Sequence, residues 1–68
     1  MIHQLLIADE AEMHRCQFAC AKRASVVVGG IDTRDFSFRV YRGLVQNVED
    51  YPASERLSGT RWRITIQA

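Results

Sequence analysis

Residues 9–24 read DEAEMHRCQFACAKRA, and this pattern predicts an amphipathic helix against which the rest of the chain packs. Asp9 is suited to accept a backbone N–H bond as the N-cap, and Glu12 completes a capping box of the Asp-x-x-Glu type. Acidic residues begin the segment and Lys22 and Arg23 come near its end, as the helix dipole favours. At about 100° per residue, one face carries Met13, Cys16, Cys20 and Ala24, with Phe18 and Ala21 beside it.

The segment before this helix, residues 2–8, fits either a buried strand or the first two turns of a longer helix. We favour the strand, because a helix continued through Asp9 would place a carboxylate in its apolar stripe. After the helix, β-branched residues predict a strand over residues 25–28 that ends at Gly29 and Gly30.

Two later segments alternate apolar and polar residues with the period of a strand. They are residues 36–42 and residues 60–67. We expect their apolar faces to form the sheet side of the core, and Met13, Cys16, Phe18 and Cys20 to form the helix side. The predicted inward-facing residues of the two strands are Phe36, Phe38 and Val40, and Trp62, Ile64 and Ile66.

The connections between the strands leave two arrangements open. Gly43 permits either a tight hairpin or a bulge in one long bent strand through Val48. Residues 49–59 are predicted to be a connecting loop with one helical turn at residues 53–57. The fold class is therefore α+β, with one amphipathic helix packed on a small antiparallel sheet of three to five strands. The sheet is either one of two layers or a bent, SH3-like sheet.

Length and composition limit the class of protein. The 68 residues suit one small domain, and 47% hydrophobic with 25% charged residues argue against a disordered tail, a coiled coil and a membrane span. Nine basic and eight acidic side chains give +1, so no strong field attracts nucleic acid or an anionic membrane. Residues 1–33 hold three cations and four anions, whereas residues 34–68 hold six and four, a mild asymmetry.

The two cysteines predict neither a disulfide nor a metal site. Cys16 and Cys20 lie four apart on the predicted helix, which suits a disulfide poorly. His14 points about 200° away from Cys16 around the same helix, and the Cys-x2-Cys spacing of zinc sites is absent. The N-terminal residues lack the features of a secretory signal, so we expect a reducing cytoplasm, no metal and no cofactor.

No combination of residues predicts catalysis. The Cys and His residues all lie near the N-terminus, and no nucleophile signature such as Gly-x-Ser-x-Gly is present. Gly29 and Gly30 follow a predicted strand as in a phosphate loop, but a strand rather than a helix comes next, so we interpret them as a turn. We therefore expect a protein that is not an enzyme.

One candidate site is the polar face of the predicted sheet. Arginines beside an exposed aromatic ring can contact phosphates while a base stacks on the ring, as in proteins that bind single-stranded RNA or DNA. The alternative is the ordinary solvated face of an antiparallel sheet. The candidate residues for nucleic acid are Arg39, Tyr41, Arg61 and Arg63.

The other candidate site is the N-terminal segment, whose apolar residues exceed what one face of one strand can bury. Excess apolar surface in a small domain commonly becomes a protein–protein interface. The alternative is a strand buried on both faces. The hypothesis we favour is a protein–protein interaction or regulatory module, most simply a homodimer, with an interface that includes Ile2, Leu5, Leu6 and Ile7.

Overall fold

In a computed structural model, which describes residues 1–51 and 59–68, one helix packs on a four-stranded antiparallel sheet. The α+β class predicted from the sequence is confirmed, and residues 2–8 contain a strand rather than helical turns. None of the described helical residues forms a segment long and apolar enough to cross a membrane. The elements are β1 (Ile2–Ile7), α1 (Glu10–Lys22), β2 (Ser25–Asp32), β3 (Phe38–Asp50) and β4 (Trp62–Gln67).

The sheet closes into a barrel in the order β1-β2-β3-β4, because β1 pairs with both β2 and β4. Closure depends on β3, which pairs with β2 from Phe38 to Leu44 and with β4 from Leu44 to Asp50. Its ladder shifts register between Val45 and Asn47, so the bent strand with a bulge is the arrangement found. Gly43 lies where a Cβ atom would overlap the Gln67 carbonyl, and this close approach requires glycine.

Helix α1 begins at the predicted N-cap, but the predicted capping box is not formed, because the Glu12 carboxylate binds Arg15 and not the Asp9 backbone N–H. The Asp9 carboxylate accepts the Ala11 N–H at 2.9 Å. Arg23, in the left-handed region at φ 53°, closes the helix by donating its N–H to the Ala19 and Cys20 carbonyls. The Glu12 carboxylate accepts from the Arg15 guanidinium.

The buried face of α1 differs in part from the predicted one. Met13, Cys16 and Ala19 are buried and Cys20 is half-buried. Phe18 is 65% exposed, so its assignment to the core is wrong. It follows Cys16 by two residues, and two residues turn a helix by about 200°, so Phe18 points away from the sheet. Ala21 and Ala24, predicted beside or in the stripe, are also exposed.

The predicted core is right for β4 and wrong for the start of β3. Trp62, Ile64 and Ile66 are buried as expected, whereas Phe36, Phe38 and Val40 are 58%, 67% and 57% exposed. The buried cluster consists of Leu5, Ile7, Met13, Cys16, Val28, Val45, Trp62, Ile64 and Ile66.

Strand register explains this reversal. Buried Val28 pairs with Tyr41, and Tyr41 packs against the core on the same face of β3 as buried Val45. Because successive side chains alternate, this register places Phe38 and Val40 on the outside. The register shift after Val45 turns Val48 inward as well, where it also packs against the core.

Two smaller predictions also change. Strand β2 continues through Gly29 and Gly30, which pair with Val40 and Arg39, and ends only at Asp32. The glycine pair is therefore part of the sheet and not a turn. Strand β3 extends to Asp50, into the predicted loop, and the helical turn predicted at residues 53–57 lies outside the described residues.

Candidate functional site

A cluster of polar side chains lies at one end of the barrel around two buried residues, Asp32 and His3. The Tyr41 ring stacks on the His3 ring, with centroids 3.8 Å apart and planes inclined by 8°. The Tyr41 hydroxyl donates to Asp32 Oδ2 at 3.1 Å. Arg34 contacts both buried residues: its backbone N–H donates to Asp32 Oδ1 at 2.9 Å, and its Nη2 lies 2.9 Å from His3 Nδ1.

The contact with Arg34 orients the His3 ring. A guanidinium group can only donate hydrogen bonds, so Nδ1 of His3 is the acceptor in this contact. His3 is thus a packed and hydrogen-bonded residue of the barrel end.

The carboxylates of the cluster are matched by arginines. The backbone N–H of Arg34 lowers the pKa of Asp32, and the Tyr41 hydroxyl adds to the shift, against the opposing effect of burial. The Arg39 guanidinium, 2.7 Å from Asp35, lowers the pKa of Asp35 well below its usual range, and Ser37 assists. Both carboxylates are therefore ionised at neutral pH.

This cluster is chemically self-contained. Within the described residues no buried side-chain nitrogen or oxygen lacks a hydrogen-bond partner, and no three His, Cys, Asp or Glu residues are placed to hold a metal ion. Two guanidinium groups, Arg34 and Arg39, balance two carboxylates, Asp32 and Asp35. The cluster accordingly closes and stabilises the barrel end.

The structure does not bring the four candidate nucleic-acid residues together, so that predicted site is corrected. Arg39 and Tyr41 belong to the polar cluster at the barrel end, whereas Arg63 is on the outer side of β4 and Arg61 immediately precedes that strand. The Arg63 guanidinium is 2.8 Å from Glu49, and that of Arg61 lies over the Trp62 ring, 5.0 Å from its centroid. The error follows from the reversed face of β3.

The predicted N-terminal interface is also corrected. Leu5, Leu6 and Ile7 are buried within the chain itself, and only Ile2 of the four is exposed. Strand β1 lies between β2 and β4, with Leu5 and Ile7 in the barrel core. Leu6, on the opposite face, is buried too. The alternative of a strand buried on both faces therefore applies to the second half of β1, since Ile2 and Gln4 on the outward face are not buried.

Exposed apolar residues gather instead on the outer side of the β2–β3 ladder. We call this surface the outer β2–β3 face. The Phe38 ring lies against Gly29, where a Cβ atom would stand 2.9 Å from the ring, so glycine lets the ring lie close to the sheet. Phe36, just before β3, adds a further exposed ring at φ 57°, a strained conformation for a bulky residue. The face consists of Ser25, Val27, Gly29, Ile31, Phe38, Val40, Arg42 and Leu44.

Sequence reasoning missed this surface because it treated alternating apolar residues as inward-facing. A signal was nevertheless present. Val45 and Val48 are three residues apart, a spacing that a regular strand cannot bury on one face and that a bulge accommodates. Counting back from Val45 in steps of two reaches Tyr41, which places Val40 outside.

The cysteines occupy different environments. Cys16 is fully buried under α1, and burial raises the pKa of its thiol to about 11. Cys20 is half-buried and borders shallow clefts between α1 and β3, together with Val45 and Val48. Neither is in a disulfide.

No protein-family model matches the chain, and neither the search of curated proteins nor that of solved structures finds a match.

Proposed function

We propose that this chain is a small non-enzymatic protein-interaction module that forms homodimers through the outer β2–β3 face. The observation that supports this most directly is the pair Phe38 and Val40, 67% and 57% exposed on one side of one strand. Val27 and the half-buried Ile31 extend the same surface onto β2. A contiguous apolar patch on a small domain is typical of a protein–protein contact.

The charges around this face favour a protein over a nucleic acid. Binding to phosphates needs arginines that are not already paired. Arg34 and Arg39 are paired with Asp32 and Asp35, and Arg63 is paired with Glu49, so Arg42 is the one arginine of the outer β2–β3 face, among the described residues, that is left without an ion pair. The centre of the face is apolar, and the chain carries a net charge of only +1.

Closure of the barrel favours packing of one sheet face on another. Each of the four strands pairs with a neighbour on both sides over at least part of its length, so none is a free edge strand. A sheet face can pack on another sheet face about 10 Å away. The second face is supplied most simply by another copy of the chain, because a two-fold dimer uses the same patch twice.

Sedimentation equilibrium of the purified chain tests this proposal. The face spans only two strands of a small domain, so we expect a weak dimer with a dissociation constant of roughly micromolar or above. Val40→Asp should leave the protein monomeric. Phe18→Asp is the matched control, since it replaces an equally exposed apolar residue on the far side of α1 and should leave the dimer intact.

Two results would overturn the proposal: a wild type that stays monomeric up to about millimolar concentration, or equal dimerisation of the Val40→Asp variant. A fluorescence-anisotropy titration with a labelled single-stranded oligonucleotide at low salt completes the test. Salt-sensitive binding by a monomeric wild type, lost in Phe38→Ala, would establish nucleic-acid binding in place of dimerisation.

A further inference from the structure

The outer β2–β3 face has an internal order that bears on how two copies meet. Its cross-strand pairs form four rows: Ile31 with Phe38, Gly29 with Val40, Val27 with Arg42, and Ser25 with Leu44. The Gly29–Val40 row lies between the row of Phe38 and the row of Arg42. Phe38 lies two residues before Val40 and Arg42 two residues after it, so the aromatic ring and the cation are equally far from this row.

Arg42 is the charged member of this face. Its side chain is exposed and makes no ion pair with any residue in the described ranges 1–51 and 59–68. A guanidinium group is attracted to the face of an aromatic ring. The Phe38 ring is 67% exposed and lies against Gly29, so its other side is open to a partner.

We propose that a second copy of this chain binds the outer β2–β3 face about a two-fold axis that runs along the Gly29–Val40 row. This inference rests on the proposed function and specifies its partner and geometry. Rotation about that axis places β3 over β3 of the other copy in the opposite direction. Val40 then meets its own equivalent, and Phe38 of each copy lies opposite Arg42 of the other.

A second axis is geometrically possible, along the strands, and charge argues against it. That axis would place the two Arg42 side chains at the same end of the interface, where like charges repel. The axis along the Gly29–Val40 row keeps the two guanidinium groups at opposite ends and gives each an aromatic ring. It also sets Ile31 opposite Val27, so these two apolar β2 residues meet each other.

Charge reversal at Phe38 tests this geometry. Phe38→Lys places an ammonium group opposite Arg42 of the partner, whereas Phe38→Glu places a carboxylate there. Both remove the same ring from an exposed position, so both variants should fold, which circular dichroism checks. The dimer contains two such contacts, and we expect the Lys variant to have a dissociation constant about tenfold or more above that of the Glu variant.

The double variant Phe38→Lys with Arg42→Glu supplies the rescue. It restores opposite charges at both contacts, so its dissociation constant should return to within a few-fold of the Phe38→Glu value. Equal dissociation constants for the Lys and Glu variants, without rescue, would overturn the axis while wild-type dimers still form. A wild type that never dimerises would instead overturn the proposed function itself.

Discussion

The clearest test of the fold compares two valines on the same strand. Val45 is 5% exposed and Val40 is 57% exposed, although the alternation of residues 36–42 predicted Val40 to be in the core. Val→Ala removes the same two methyl groups at both positions and changes strand propensity equally. At Val45 the lost burial is about 1.6 kcal/mol, and the cavity left in a packed core raises the cost to about 2 to 3 kcal/mol.

At Val40 less than half of the side chain is buried, so the same change should cost about 0.7 kcal/mol or less in the monomer. For a domain of this size the expected shifts in melting temperature are about 10 to 20 °C for Val45→Ala and about 5 °C or less for Val40→Ala. The measurement is urea and thermal unfolding followed by Trp62 fluorescence, at a protein concentration low enough that the midpoint no longer depends on it. Comparable losses at the two sites, or a larger loss at Val40, would refute the register of β3.

Three other changes probe the barrel end and the cysteines. Arg39 lowers the pKa of Asp35 in the folded state, so the ionised Asp35 stabilises the fold at pH values above its unfolded-state pKa of about 3.9. This stabilisation is lost as the pH falls below that value. Asp35→Asn should therefore lower the urea midpoint at pH 7 and flatten its decline below about pH 5; an unchanged acid slope would contradict this. Cys16, with its pKa of about 11, should react with a thiol reagent at pH 8 only after unfolding, and Cys20 should react first; equal native rates would contradict the burial. Phe36→Asn should leave the unfolding free energy equal or raise it by about 0.5 to 1 kcal/mol, since Asn tolerates the left-handed region; a loss above about 1 kcal/mol would show that the ring stabilises the monomer.

Local features of the sequence predicted local structure well. The N-cap at Asp9, the strand before it and the inward face of β4 each depend on a few neighbouring residues. The α+β class follows from them, because one helix and several short strands can bury their apolar sides only against each other. The sequence identifies Gly43 as the position of either a hairpin or a bend. Only the close approach of the Gln67 carbonyl decides between the two.

The candidate sites could not be predicted in the same way because they depend on strand register. A shift of one residue exchanges the two faces of a strand, and the register of β3 is set by Val45, Val48 and the pairing with β4. In residues 36–42 apolar and polar residues alternate, and this pattern alone does not determine which of the two faces is buried. Tyr41 and Arg39 are directed towards the barrel end by the buried carboxylate of Asp32, a partner on another strand.

The small interior of the barrel accounts for the exposed apolar face. The core takes nine buried residues from five elements, and Val45 is the one that β3 contributes. On the same side of β3, nearer the barrel end, Tyr41 and the exposed Arg39 direct polar atoms towards Asp32. Phe38 and Val40 are then left on the outer side, where the described residues leave them 67% and 57% exposed. Polar residues at these two positions would leave the interior unchanged and make the chain more soluble, so the apolar pair is better explained by a contact than by folding.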